Sequence, residues 1–402
     1  MTTVSRFVLA QRAMFAAPAH ALVETLVASL REHYGVTAAE LLIADYTQAV
    51  LRPVLDPDGE LPVTGTEAGR AYAEQRVITR DTQILLPVTA RGDRIGVLRL
   101  ERPEPFDVEA EDELVDLTVA LAHDLRAADE ITGRYRAARR RDRLTLAAEI
   151  QWHLLPGRSV TRKEYVLAGQ LEPAYAVRGD NFDWSSEADH LIVSVTNGFG
   201  EGVEAALLTS LAVNAMRNAR FAGASLADQA RLADEAVYAA HRGKQHVSTL
   251  LLRFDVATGL VSAVDAGSPM LMRLRGDRVE ELPLDAQLPL GMFESTAYEE
   301  QTFQILPGDR LFILSDGVHD ARYEGLTYRE EGRLRQTISA TRRLPPGEAI
   351  RAVLGDHAVF RRSLPHDDDC AVVCLDWRRT ATPDEPEMGL AGVAVATTRP
   401  LR

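Results

Sequence analysis

The chain of 402 residues carries 45 Lys and Arg against 59 Asp and Glu, a formal net charge of −14 that repels phosphate backbones and anionic lipid and excludes nucleic acid and a membrane surface as expected partners. Hydrophobic residues at 46% and charged residues at 26% are globular proportions, which sets aside a disordered or fibrous chain, and the length suits two domains. No stretch approaches the roughly 18 apolar residues of a membrane span. Gln11 and Arg12 also interrupt the opening MTTVSRFVLAQRAMFAAPAH, where a signal peptide needs an unbroken apolar core, so a cytoplasmic protein is expected.

From Ala19 to Gly35, AHALVETLVASLREHYG has helical spacing, with Leu22, Leu26 and Leu30 on one face and Gly35 where a helix stops. Strand-like runs follow in ELLIADY and AVLRPVL, then in ILLPV and IGVLRL around the turn ARGDR. A second helix is predicted to begin near Asp107 and to carry Leu114, Leu117 and Leu121. This order over residues 1–125, together with the phrase LPVTARGDRIGVLRLERPEPFDVEAEDEL, resembles a GAF domain. The resemblance implies a sensor; a small-molecule ligand in its core and a packed dimerisation scaffold both remain open.

Over 126–156 the helical pattern continues as a linker, and Leu121, Ala128, Ile131, Tyr135 and Ala138 follow the steps of a coiled-coil seam, which predicts a parallel homodimer. Gly133 and the Arg-rich GRYRAARRRDR interrupt it; the latter reads as a solvated helix face in preference to a site for an acidic partner. The tail 378–402 has no sustained period and is expected to be flexible.

Residues 157–377 alternate strands with two helical patches and close on the strand CAVVCLDW, an α/β layered sandwich. In that strand Cys370 and Cys374 are four apart, too far to bridge at about 3.3 Å per residue. Aspartates recur at strand ends: Asp180 in RGDNFDW, Asp316 in FILSDGVHDAR, and Asp367, Asp368 and Asp369 before CAVVCL. Carboxylates distant in sequence converge when they sit at strand edges, and hard cations such as Mg²⁺ and Mn²⁺ take oxygen ligands of this kind. Two such ions about 3.5–4 Å apart supply water activation and neutralise a phosphoryl group. Taken singly, each Asp could instead be a turn or cap residue, the commoner job of Asp before Gly. His241 and His246 lack the companions of a zinc site.

Several motifs fall in one order: LAAEIQWHLLPGR, VRGDNFDW, NGFGEGVEAALL, DAGSPMLMR, LPLGMF, LPGDRLFILSDGVHDAR and HDDDCAVV. The set, over Leu144 to Trp377, resembles the PPM protein serine/threonine phosphatases of the SpoIIE/RsbU kind. RGDNFD stands for that family's GGDFYD, NGFGEG for its DVSGKG, and DAGSP for its NAGHP. The resemblance implies an α/β/β/α sandwich, so that the whole is α+β: a GAF-like domain, a helical coiled-coil linker and a PPM sandwich. It also implies two Mn²⁺ or Mg²⁺ ions, with Asp180 bridging, Asp316 and Asp368 holding one ion, and Gly198 offering a backbone carbonyl. Asp180, Asp316 and Asp368 are the implied catalytic residues. The implied substrate is phosphoserine or phosphothreonine on a regulatory protein of the anti-sigma-factor-antagonist type.

Three positions depart from the pattern. Asn197 replaces a bridging aspartate, which keeps an oxygen donor and loses the charge that holds the ions. Arg178 replaces the first glycine of GGD, and Ser268 the histidine of NAGH. Two readings remain: a weakened site supported by Asn197 with Asp183 or Glu201, or a non-catalytic phosphatase fold that binds a partner.

Overall fold

In the computed structural model the chain divides between Arg143 and Leu144 into two units. The described residues are 5–56, 59–140, 145–172, 177–362 and 368–378; Asp367, the end of the Arg-rich stretch and the tail from 379 lie outside them.

The first unit begins with a helix that the sequence reading did not anticipate, α1 (Arg6–Ala16), capped by Ser5 through a hydrogen bond from the Phe7 N–H. Helix α2 (Leu22–Tyr34) ends as expected at Gly35, whose φ of 65° a side chain would resist. Strands β1 (Ala38–Ala44), β2 (Val50–Pro53) and β3 (Leu61–Pro62) precede α3 (Glu67–Glu74), and β4 (Ile78–Arg80), β5 (Gln83–Ala90) and β6 (Asp93–Glu101) follow it. The antiparallel sheet runs β3-β2-β1-β6-β5-β4. Helix α4 (Val108–Asp129) starts where Asp107 accepts from the Ala110 N–H at 2.7 Å, and α5 (Arg134–Ala138) follows it. Leu26, Leu30, Leu114, Leu117 and Leu121 are buried with Leu41, Leu86 and Leu98 on one sheet face. On the other, α3 places Tyr72 among Leu42, Leu51, Leu85 and Val97, with its hydroxyl 3.0 Å from Gln48 Oε1.

The expected linker is corrected here. Leu121, Ala128 and Tyr135 lie inside the first unit's core at 0%, 5% and 1% exposure, and Ile131 is exposed. The helix stops at Asp129 and restarts after Gly133. Helix α6 (Leu146–Leu154) instead packs in the second unit, where Ala147 and Ala148 meet Val177 and Ala206. An apolar stripe at three- and four-residue steps serves a domain core as well as a partner helix, and here the first unit's own core takes Leu121, Ala128 and Tyr135.

The second unit contains β7 (Ser159–Thr161), β8 (Tyr165–Glu172), β9 (Asn181–Ser186), β10 (His190–Gly198), α7 (Gly202–Phe221) and α8 (Leu226–His241). It continues with β11 (Val247–Asp255), β12 (Leu260–Ala266), β13 (Met270–Arg275), β14 (Arg278–Glu281), β15 (Gln301–Gln304) and β16 (Arg310–Leu314). It closes with α9 (Asp316–His319), β17 (Arg322–Tyr323), β18 (Leu326–Thr327), α10 (Arg333–Ala340), α11 (Pro346–Phe360) and β19 (Cys370–Trp377). Two antiparallel sheets, β15-β12-β11-β10-β9 and β14-β13-β16-β19-β8-β7, face one another. Alternation along β19 shows the layering: Ala371, Val373, Leu375 and Trp377 fill the space between the sheets, while Cys370, Val372 and Cys374 pack with Ile350, Val353 and Leu354 of α11. On the far side, α7 and α8 cover β10 to β12 through Leu208, Ala212, Val213, Ala233 and Val237. The expected α/β/β/α sandwich is present. Both cysteines are free and buried.

Leu121→Ala should cost about 2–5 kcal/mol, as for other buried leucines truncated in a packed core. Because the residue serves an intrachain core, the drop in Tm by calorimetry should not change with protein concentration. A concentration-dependent drop would restore the dimer seam.

Candidate metal centre

Three strand ends deliver three carboxylates to one edge of the sandwich. Asp180 stands just before β9, Asp316 opens α9 directly after β16, and Asp368 lies two residues before β19. One oxygen of each comes within 4.8 Å of the others. Asp180 is 1% exposed and its Oδ2 has no hydrogen-bond partner among the described residues. Burial, then the charges of Asp369, Asp316 and Asp368, push its carboxyl well above the usual range. Burial, then Asp316, raise Asp368 to about 6, while the Asp369 N–H and the Arg178 guanidinium oppose the rise. Converging carboxylates with an unmet oxygen fit a hard divalent cation, so Asp180, Asp316 and Asp368 suit Mg²⁺ or Mn²⁺.

Asp369, the third residue of the DDD run, has a different task. Its Oδ2 accepts from the backbone N–H groups of Arg178 (2.8 Å), Gly179 (2.9 Å) and Asp180 (3.2 Å) and from Gln151 Nε2 (2.7 Å). Gln151 also donates to the Asp180 carbonyl at 2.7 Å. These contacts fix the turn that presents Asp180. Asp316 is held through its neighbour: Ser315 N–H donates to the Ala371 carbonyl, and the Ala371 N–H donates to Ser315 Oγ. Gly317 allows this approach, since a Cβ there would sit 1.9 Å from the Asp369 carbonyl oxygen. The positioning roles of Asp369 and Gln151 were missed in the sequence. A glutamine on the apolar face of a helix, beside Ala147 and Ala148, was the available signal for the second.

The β9–β10 register pairs Thr196 with Asn181, so Asn197 comes next to Asp180 across the strands. Asn197 is 6% exposed; its Nδ2 donates to Ser268 Oγ, and its Oδ1 is buried with no partner among the described residues. Gly198 ends β10 opposite Val247, and a Cβ there would meet Thr209 Oγ1 at 2.4 Å. The proposed rescuers do not join this group. Asp183 is buried between Arg217 (2.7 Å) and Arg220 (3.2 Å), and Glu201 is exposed before α7. Among the described residues, neither histidine joins a group able to hold a metal: His241 ends α8, and His246 stacks on Phe199 at 4.8 Å.

A carboxyl whose folded pKa is raised favours folding while protonated. In chelator, Asp368's contribution is therefore present below its ordinary pKa near 3.8 and is lost as the pH climbs through about 6. Tm should fall over that window more steeply for the wild type than for Asp368→Asn, and Mn²⁺ at pH 7.5 should raise Tm in the wild type alone. Parallel profiles with an equal response to Mn²⁺ would remove Asp368 from the site.

Residues 187–378 match the model of the family described as Stage II sporulation protein E (SpoIIE), a segment that includes Asn197, Asp316 and Asp368. No curated protein matches the chain significantly. Among solved structures, the RsbU and RsbW domains of a Mycobacterium tuberculosis protein are 20% identical, with a TM-score of 0.48 over 55% of this chain and 63% of that one. This chain thus spans less than two thirds of that relative. The phosphatase domain and regulatory fragment of SpoIIE from Bacillus subtilis are 16% identical, with a TM-score of 0.46 over 55% of this chain and 66% of that one. The SiaA-PP2C domain of Pseudomonas aeruginosa is 21% identical, with a TM-score of 0.46 over 53% and 85%. Residues 187–378 of the second unit are thus similar to the SpoIIE family, whose model spans just under half of the chain.

Proposed function

We propose that this protein is a metal-dependent phosphoprotein phosphatase whose second unit hydrolyses phosphoserine or phosphothreonine on a regulatory protein, under the control of a GAF-like first unit. The carrying observation is the meeting of Asp180, Asp316 and Asp368 within 4.8 Å at the sandwich edge. These three residues would hold Mn²⁺ or Mg²⁺, and such an ion supplies charge neutralisation and a lowered water pKa. The chain's own groups set the stage for it. Asp369 and Gln151 orient the Asp180 turn, Ser315 and Gly317 place Asp316 against β19, and burial strengthens every charge interaction at the edge. In the reaction, water adds its oxygen to phosphorus, the seryl or threonyl P–O bond breaks, and the leaving oxygen takes a proton. Support for a protein substrate in signalling is the family itself, together with a first unit that gives the chain a second folded body.

A second reading has its own observation. Asn197 brings a neutral amide with an unmet oxygen to a position where the family carries a charge. If that loss abolishes turnover, the unit serves as a binding module for a regulatory partner.

Hydrolysis of p-nitrophenyl phosphate with Mn²⁺ separates the two, with Asp316→Ala as the blank. Turnover above the blank is expected in the wild type. Loss of a charged ligand commonly lowers metal affinity or activity by at least about 10–100-fold, so Asn197→Asp should be faster by that order. Activity in Asn197→Asp alone would establish the binding-module reading.

A further inference from the structure

We infer that this centre takes one divalent ion where its family takes a pair, with the Arg178 guanidinium and the Asn197 amide standing in the place of the second. The inference rests on the metal-site reading above and concerns how many ions that site holds.

The ligand count points to one ion. Asp180, Asp316 and Asp368 bring their oxygens within 4.8 Å of one another, a set one ion can span. A second ion would have to share Asp180 and take the rest from the strand beside it, where β10 offers Asn197 and Gly198. The other carboxylates once in view do not join the cluster: Asp183 pairs with Arg217 and Arg220, and Glu201 is exposed and outside the group. Asp369 gives its Oδ2 to four N–H donors. A second ion would therefore have no carboxylate of its own.

Charge bears on the count as well. The Arg178 guanidinium already opposes the negative field of Asp316 and Asp369 at Asp368, and so offsets part of the charge that would otherwise attract a second ion. The Arg178 backbone is held beside the cluster by its N–H on Asp369, its guanidinium acts on Asp368, and its Nε is buried with no partner among the described residues. The amide at position 197 is oriented as well: Nδ2 is taken by Ser268, leaving the neutral Oδ1 as the group still unmet. A guanidinium is permanently charged and presents planar donors that suit phosphoryl oxygens. Arg178 can thus meet a substrate oxygen that the second ion meets elsewhere in the family.

Mn²⁺ titration of the full chain by calorimetry, with electron paramagnetic resonance on the saturated protein, tests this without turnover. The wild type should bind one Mn²⁺ and show the six-line signal of an isolated ion. The double variant Arg178→Gly, Asn197→Asp, shown folded by circular dichroism, should bind two. Its signal should be broadened by coupling between ions about 3.5–4 Å apart, and the second ion should bind at least about tenfold more tightly than any second binding in the wild type. Asn197→Asp alone, kept in case the double variant fails to fold, should show a smaller gain of the same sign. Two coupled ions in the wild type would overturn the inference and leave the metal-site reading intact. No Mn²⁺ bound at millimolar concentration would overturn both.

Discussion

The Asp369 carboxylate is the contact on which the geometry of the second unit's edge depends. By accepting the N–H groups of Arg178, Gly179 and Asp180 and the amide of Gln151, it ties the start of β19 in one sheet to the start of β9 in the other and to α6. Hydrogen bonds to a charged group contribute about 1.5–3 kcal/mol each, and consecutive backbone N–H groups form a concave anion nest. With Asp369 committed to that nest, its neighbour Asp368 joins Asp180 and Asp316. Two adjacent aspartates thus divide the work of structure and chemistry.

The price of the arrangement is electrostatic. Gathering Asp180, Asp316 and Asp368 in a buried edge raises the first and third carboxyls, so the folded chain without a cation carries a repulsion that the sandwich must absorb. It can do so because the site lies at the ends of well-packed strands. Phe182, Val195, Ile313 and Val373 fill the space between the sheets with little or no exposure. A rigid layer holds the like charges closer than free side chains would settle.

How much of this was legible in the sequence depended on the range of the interaction involved. Apolar runs such as CAVVCLDW and the helix stop at Gly35 are local signals, and both sit where they were expected. The ordered motifs located the three aspartates because each lies at a chain reversal. The linker failed because a stripe of Leu121, Ala128 and Tyr135 looks the same whether a partner helix or the unit's own core covers it, and only the tertiary fold supplies that core. Asp183 failed for a related reason. It was offered as a helper of Asn197, yet in β9 it turns toward α7, where Arg217 and Arg220 meet it. Asp369 was hidden by its neighbours, since three consecutive aspartates do not announce which of them binds backbone.

The departures at Asn197 and Ser268 are physically linked. A serine hydroxyl both donates and accepts, so Ser268 can accept from the Asn197 amide as it does here, or donate to a carboxylate at the same position. The immediate surroundings therefore do not forbid an aspartate at 197. What disfavours or permits it is the charge nearby: with Arg178 beside Asp368 and no second ion, a further carboxylate would add to the repulsion already raising Asp180. With a second ion, it would become the missing ligand. Residue 197 and ion count are thus a single variable, and the chain has Asn197 together with an arginine in the field of the cluster.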